Sequence, residues 1–217
     1  MNILALETAT QVASVALKVD GRVWDLQVED AAARAETVLD LVRAILGLAK
    51  TDLSAVQAIA FGRGPGSFTG IRVATAVAQG LAYGRGVPVI PISSLAALAQ
   101  GAKAPHIAAA IDARRDEIYY GFFRRQENGL VIPMGPEQLG KPGLLQVPAG
   151  AYRGAGSGFD HYADVLDGVC AGGYEAGLVP TAASVLLLAE EAYAQGAFTS
   201  ACQAAPVYLR DDVACAS

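Results

Sequence analysis

Residues 3–28, ILALETATQVASVALKVDGRVWDLQV, decide the fold. The apolar run Ile3-Leu4-Ala5-Leu6 ends at the carboxylate of Glu7. After Thr8-Ala9-Thr10, residues 12–19 are rich in β-branched side chains and read as a second strand. Asp20-Gly21 is a type I′ hairpin signal, and Val23, Trp24, Leu26 and Val28 supply the returning strand. The chain therefore opens with a three-stranded antiparallel meander. The same order restarts after Pro105. Residues 107–111 form an apolar strand ending at Asp112, residues 113–116 a polar turn and residues 117–123 an aromatic-rich strand. Asn128-Gly129 is the next hairpin signal. A strand, a terminal carboxylate, a turn, a strand and a hairpin thus occur at 4–28 and again at 107–131. This predicts an α/β chain of two related units, 1–102 and 103–217.

Between the repeats, the spacing of Val38, Leu41, Val42, Ile45, Leu48 and Ala49 predicts a helix over 36–50. Leu39 and Leu46 lie on its flank and widen the apolar stripe to about half the circumference, where a helix packed on one sheet needs little more than about 100°. The surplus is free for a second element or a second protein. Residues 56–61 read as a buried strand and 62–70 as a glycine-rich loop. Ile71, Ala74, Val77, Ala78, Leu81 and Ala82 mark a second helix over 71–83, with Ser67 or Thr69 as N-cap. Its other face, Arg72, Thr75, Ala76 and Gln79, is small or weakly polar and admits a close neighbour. A strand over 87–90, a helix over 95–100 capped by Ser94, a strand closed by 154–158 and a helix over 184–193 complete the order. Residues 206–209 end the fold and 211–217 form a frayed tail.

Composition narrows the class. Of 217 residues, 53% are hydrophobic and 17% charged, which excludes disorder and fibrous repeats. The uncharged run 86–102 has 17 residues and contains Pro88 and Pro91. A membrane span needs about 20 apolar residues, so none is expected. With no basic region before the first apolar stretch, a secretory signal is not expected either, and the reading is cytoplasmic. Sixteen basic against 21 acidic residues leave a net charge of −5, which disfavours direct binding of nucleic acid by this chain alone. Cys170, Cys202 and Cys215 form no CxxC and read as reduced thiols; His106 and His161 fit no metal-binding spacing.

Two features carry chemistry. In Gly62-Arg63-Gly64-Pro65-Gly66-Ser67-Phe68-Thr69-Gly70, a loop between strand and helix offers free N–H groups and the positive end of a helix dipole. The spacing GxGxxxG fits neither the P-loop nor the dinucleotide fingerprint, so a phosphate cradle and a structural turn both stand open. Glu7 and Asp112, at equivalent places in the repeat, are candidate general bases or holders of a hydrated metal ion, against the plainer reading of turn carboxylates. Ser67 has no histidine partner for a hydrolytic triad.

Residues 3–15 (ILALETATQVASV), 58–70 (AIAFGRGPGSFTG), 78–82 (AQGLA), 93–95 (SSL), 110–117 (AIDARRDE) and 206–213 (PVYLRDDV) resemble the TsaB family, also called YeaZ. The resemblance spans almost the whole chain. It implies the fold of actin, hexokinase and ribonuclease H, in two related subdomains with mixed sheets flanked by helices. It also implies an accessory, non-catalytic part in making threonylcarbamoyladenosine beside the anticodon of tRNAs. The paralogue TsaD carries the metal and the transfer step, and the ATPase TsaE joins them. ATP or ADP and metal are then expected on TsaD and TsaE, with none held tightly by this chain, and tRNA is met indirectly. Pairing with TsaD, or with a second copy when alone, is expected through the two N-terminal helices, at Leu39, Val42, Arg43, Leu46, Arg72, Thr75, Ala76 and Gln79. A vestigial nucleotide or phosphate site would comprise Glu7, Thr8, Gly62, Arg63, Gly64, Gly66, Ser67 and Asp112. Glu7 stands where relatives usually have Asp, and Ala33-Arg34 where many have a His-Ser-like pair; the C-terminus stops soon after Val213. An ATPase of the actin-like class is the alternative, and a metallopeptidase a more distant one.

Overall fold

The structure, a computed structural model, describes residues 1–29 and 34–210. Ala33, Cys215 and the expected tail at 211–217 lie outside them. The first half comprises β1 (Ile3–Glu7), β2 (Val12–Val19), β3 (Arg22–Glu29), α1 (Ala35–Leu48), β4 (Ala58–Gly62), α2 (Phe68–Arg85), β5 (Val89–Ile92) and α3 (Ser94–Gly101). The second comprises β6 (His106–Arg114), β7 (Glu117–Arg125), β8 (Val131–Pro133), β9 (Gln138–Gly140), β10 (Arg153–Ala155), α4 (Ser157–His161), α5 (Ala163–Leu166), β11 (Tyr174–Glu175) and α6 (Ala182–Ala194).

The repeat is real. The first sheet runs β3-β2-β1-β4-β5 and the second β8-β7-β6-β10-β11, with β9 also on β7. In each, an antiparallel meander is continued by two parallel strands. In the first sheet, strand alternation sorts the side chains by size. Leu4, Leu6, Val15, Leu17, Ile59 and Phe61 face α1 and α2, packing against Val38, Val42, Ile45, Ala74 and Ala78. The opposite face is Ile3 with Ala5, Ala16, Ala58 and Ala60, and on it lie Ala182, Val185, Leu186 and Ala189 of α6. A floor of alanines lets that helix sit close.

Helix α3 joins the halves. Its Ala97 belongs to the alanine face, whereas Leu95, Leu98 and Ala99 pack with Ile107, Ala109 and Ile111 of the second sheet. A boundary at residue 102 therefore divides the sheets but not the packing. Helix α6, late in the chain, completes the first half, and Glu190 on it pairs with Lys18 of β2. The linker is stapled by Arg125, whose guanidinium donates to the carbonyls of Ala99, Gln100, Ala102, Ala104 and Gly129. The carbonyls at the end of α3 are thus satisfied by a cation, which also suits the helix dipole.

Three local expectations need correction. Helix α2 starts at Phe68 and not at residue 71, while its cap is Ser67, one of the two expected, whose hydroxyl accepts from Gly70 N–H at 3.4 Å. The cap of α3 is Ser93, accepting from Ala96 N–H at 3.1 Å, because Ser94 is directed inward instead. Strand β6 does not end at Asp112; it continues through a bulge to Arg114. Cys170 is buried and its thiol is pushed up to about 11 by burial, so it is unreactive, while Cys202 is exposed; both are free. Among the described residues no helix is long and apolar enough to cross a membrane.

Candidate functional site

Glu7 closes β1 with its side chain pointing into the protein, fully buried. Its Oε1 accepts from Ala9 N–H at 2.7 Å and its Oε2 from the Ser94 hydroxyl at 2.8 Å. Burial raises its pKa above the ordinary 4.5, partly offset by these bonds and by one from the Thr8 backbone. An acid held above its unfolded pKa favours folding fully below pH 4.5 and loses that contribution as pH rises through the folded value. Glu7→Gln is therefore expected to flatten this part of the pH dependence of stability, read as urea midpoints from pH 4.5 to neutrality. An unchanged slope would show that the burial of this carboxyl is immaterial.

The glycines of the loop serve clearance. A Cβ on Gly62 would collide with both Glu7 carboxylate oxygens. One on Gly66 would lie 2.6 Å from the Ala9 Cβ, and one on Gly70 would strike the Thr8 carbonyl. Gly64 takes φ +94°, which favours glycine, and its carbonyl accepts from Ser94 N–H at 2.9 Å. The Thr8 hydroxyl donates to the Gly70 carbonyl at 2.7 Å, and Ser67 N–H to the Ala9 carbonyl at 2.7 Å. Arg63 pairs its N–H with Ile92 O at 2.8 Å and its carbonyl with Val207 N–H at 2.8 Å. The two sequence blocks, ETAT and FGRGPGSFTG, are thus locked together.

Between the sheets lies a cleft of about 1070 Å³. Of the eight nucleotide-site residues expected from the sequence, it receives Gly66, Ser67 and Asp112, but not Glu7, Thr8, Gly62, Arg63 or Gly64. The two carboxylates of the repeat are therefore not brought to one cavity. Asp112 is engaged with its own turn: its Oδ1 accepts from Arg114 N–H at 2.8 Å and from Tyr162 OH at 3.4 Å, and Oδ2 lies 3.2 Å from the Arg114 guanidinium. The histidines stand apart, His106 against the ring of Tyr152 and His161 against that of Tyr162. Among the described residues no three His, Cys, Asp or Glu side chains converge as metal ligands.

The helical face is different. Helices α1 and α2 lie together on the large-residue side of the first sheet. Of the eight expected interface residues, Arg43, Arg72 and Ala76 are exposed, Leu39, Leu46 and Gln79 are half-buried, and Val42 and Thr75 are buried. Val42 is part of the core, and the Thr75 hydroxyl donates back to Ile71 O at 2.7 Å. Neither is available to a partner. The exposed stripe of α2 instead runs Arg72, Ala76, Gly80, Tyr83 and Gly84, with Tyr83 74% exposed and open space above Gly80 and Gly84. On α1, Ala44, Gly47 and Leu48 are exposed. The bond of Ser94 to Glu7 and the place of Tyr208 in the cleft wall are contributions that sequence reasoning missed.

Two meanders, each extended by parallel strands and facing each other across a cleft, define the actin and ribonuclease-H class of fold. A family model described as "TsaD: tRNA N6-adenosine threonylcarbamoyltransferase" matches residues 29–150. The tRNA threonylcarbamoyladenosine biosynthesis protein TsaB of Escherichia coli (strain K12) is 38% identical, over 99% of this chain and 96% of its own. The protein of the same name from Haemophilus influenzae is 36% identical, over 98% and 95%. The solved structure of YeaZ from Pseudomonas aeruginosa is 42% identical, covers 96% of this chain and 99% of its own, and superposes with a TM-score of 0.91. The chain belongs to the TsaB (YeaZ) family.

Proposed function

We propose that this chain acts in tRNA threonylcarbamoyladenosine biosynthesis as a non-catalytic partner subunit. It pairs with TsaD through α1 and α2, is joined by TsaE, and forms a homodimer through the same face when alone. Nucleotide and metal belong to TsaD and TsaE, the tRNA is held mainly by those subunits, and the complex works in the cytoplasm. Near-full-length similarity to proteins named for this pathway supports the pathway. The observation that carries the partner role is the commitment of Glu7 and the glycine loop to internal bonds, while the exposed α2 stripe stays free for a partner. Its small side chains allow a second helix to approach closely, and a net charge of −5 suits a subunit that meets RNA through others.

The cleft, with Arg114, Arg115 and Arg210 on its walls, favours a second reading, an ATPase of the actin-like class. Titration calorimetry of the isolated chain with Mg-ATP separates the two. The scaffold reading expects no saturable heat, together with co-elution of the chain and TsaD on size exclusion. Tight nucleotide binding and no co-elution would favour the enzyme.

A further inference from the structure

After α6 the chain crosses to the opposite side of the first sheet. Thr199 and Val89 exchange backbone hydrogen bonds at 2.9 Å, and Ala201 and Ala204 are buried beside α2. The segment then runs along α2 towards its N-terminus. Gln79 Nε2 donates to Ala204 O at 2.8 Å, and Arg72 Nε donates to Tyr208 OH at 2.8 Å. The Arg72 guanidinium lies 3.6 Å from the centre of the Phe68 ring, with the Tyr208 ring beside it. Two residues later Arg210 reaches the second half, donating to Ala113 O at 3.3 Å and pairing with the Glu117 carboxylate. Val207, Tyr208 and Arg210 form one wall of the cleft.

The far anchor is a strained turn. Arg114, Arg115 and Asp116, between β6 and β7, take φ of 61°, 56° and 57°. Three successive side-chain-bearing residues in the left-handed region persist only where neighbours hold them, and Arg210 grips the turn on both flanks, at 113 and at 117. At the near anchor, two of the polar residues on the α2 face, Arg72 and Gln79, are the ones that hold the segment.

We propose that residues 207–210 are a clasp that carries pairing on α2 into the cleft. A protein that covers the α2 stripe rests on Arg72 and Tyr208, fixes the segment, and so tightens the hold of Arg210 on the β6–β7 turn. The occupant is TsaD, and the inference rests on the pairing proposed above.

Hydrogen exchange of the full chain, alone and with TsaD, tests it. In the isolated chain, Arg210→Ala is expected to speed exchange of amides 113–117 at least tenfold and Arg210→Lys to restore part of the protection; unchanged exchange would overturn the clasp whatever the partner does. With TsaD bound, the wild type is expected to gain protection at α2 and at 113–117. In the complex, Arg210→Ala, whose side chain contacts Ala113 and Glu117 and not α2, is expected to keep co-elution and protection of α2 while losing the response at the turn. Protection of α2 without any response at the turn would overturn the clasp alone. No protection at α2 would overturn the pairing, and the transmission with it.

Discussion

Gly70→Ala is expected to cost about 3 kcal/mol of stability, although glycine to alanine inside a helix normally gains up to about 1 kcal/mol. The added Cβ meets the carbonyl of Thr8, and that carbonyl belongs to a loop fixed on both sides. Thr8 is fully buried with its hydroxyl bonded to Gly70 O, and Ala9 N–H is bonded to Glu7. Nothing there retreats without breaking a buried hydrogen bond, which is worth about 1 kcal/mol or more each. Gly80→Ala is the matched control, since nothing lies within 4 Å of its added Cβ. It is expected to stabilise the isolated chain by about 0.5–1 kcal/mol through helix propensity. Urea unfolding of the two variants reads the difference. Equal effects would mean that the loop is not packed on the first strand, and that its glycines serve something other than clearance.

Ala76→Glu is expected to abolish pairing with TsaD and self-association, a loss of at least about a hundredfold in affinity, equivalent to roughly 2.7 kcal/mol. Ala76 sits mid-stripe on α2, exposed, between Arg72 and Gly80. A carboxylate there is harmless to the monomer but is desolvated without a partner when a second helix lies on the stripe. Leu46 is a poorer place for this test, because it is half-buried against the core and a charge there disturbs the fold itself. Sedimentation of the variant alone and with TsaD gives the result. Retained pairing would move the interface off α2.

Much of the fold was legible because it rests on short-range chemistry. The alternation of Leu4, Leu6, Val15 and Leu17, and the turn at Asp20-Gly21, specify the meander locally, and its recurrence at 107–131 specifies the second sheet. The return of α6 to the first sheet was not legible. Its partners Ala5, Ala16, Ala58 and Ala60 are distant in sequence, and an alanine run carries no address. The site was half legible. Glycine at 62, 66 and 70 is demanded alike by a phosphate and by a neighbouring strand, and only the position of residues 7–9 separates those causes. Glu7 read as a strand-end carboxylate like Asp112, yet its fate is set by Ser94, 87 residues away. On α2, helical spacing puts Thr75 on the free face, yet it is buried. It lies between Arg72 and Gln79, the two residues that hold the returning segment, and helical period does not reveal where a later part of the chain will pack.

The central claim is that this chain serves the pathway through its helical face and not through its carboxylates. Formation of threonylcarbamoyladenosine on tRNA, in a reconstitution with TsaD and TsaE, tests it with two variants side by side. Asp112→Ala is expected to support modification close to the wild-type rate while Ala76→Glu supports almost none. Loss of modification with Asp112→Ala and its retention with Ala76→Glu would contradict the account.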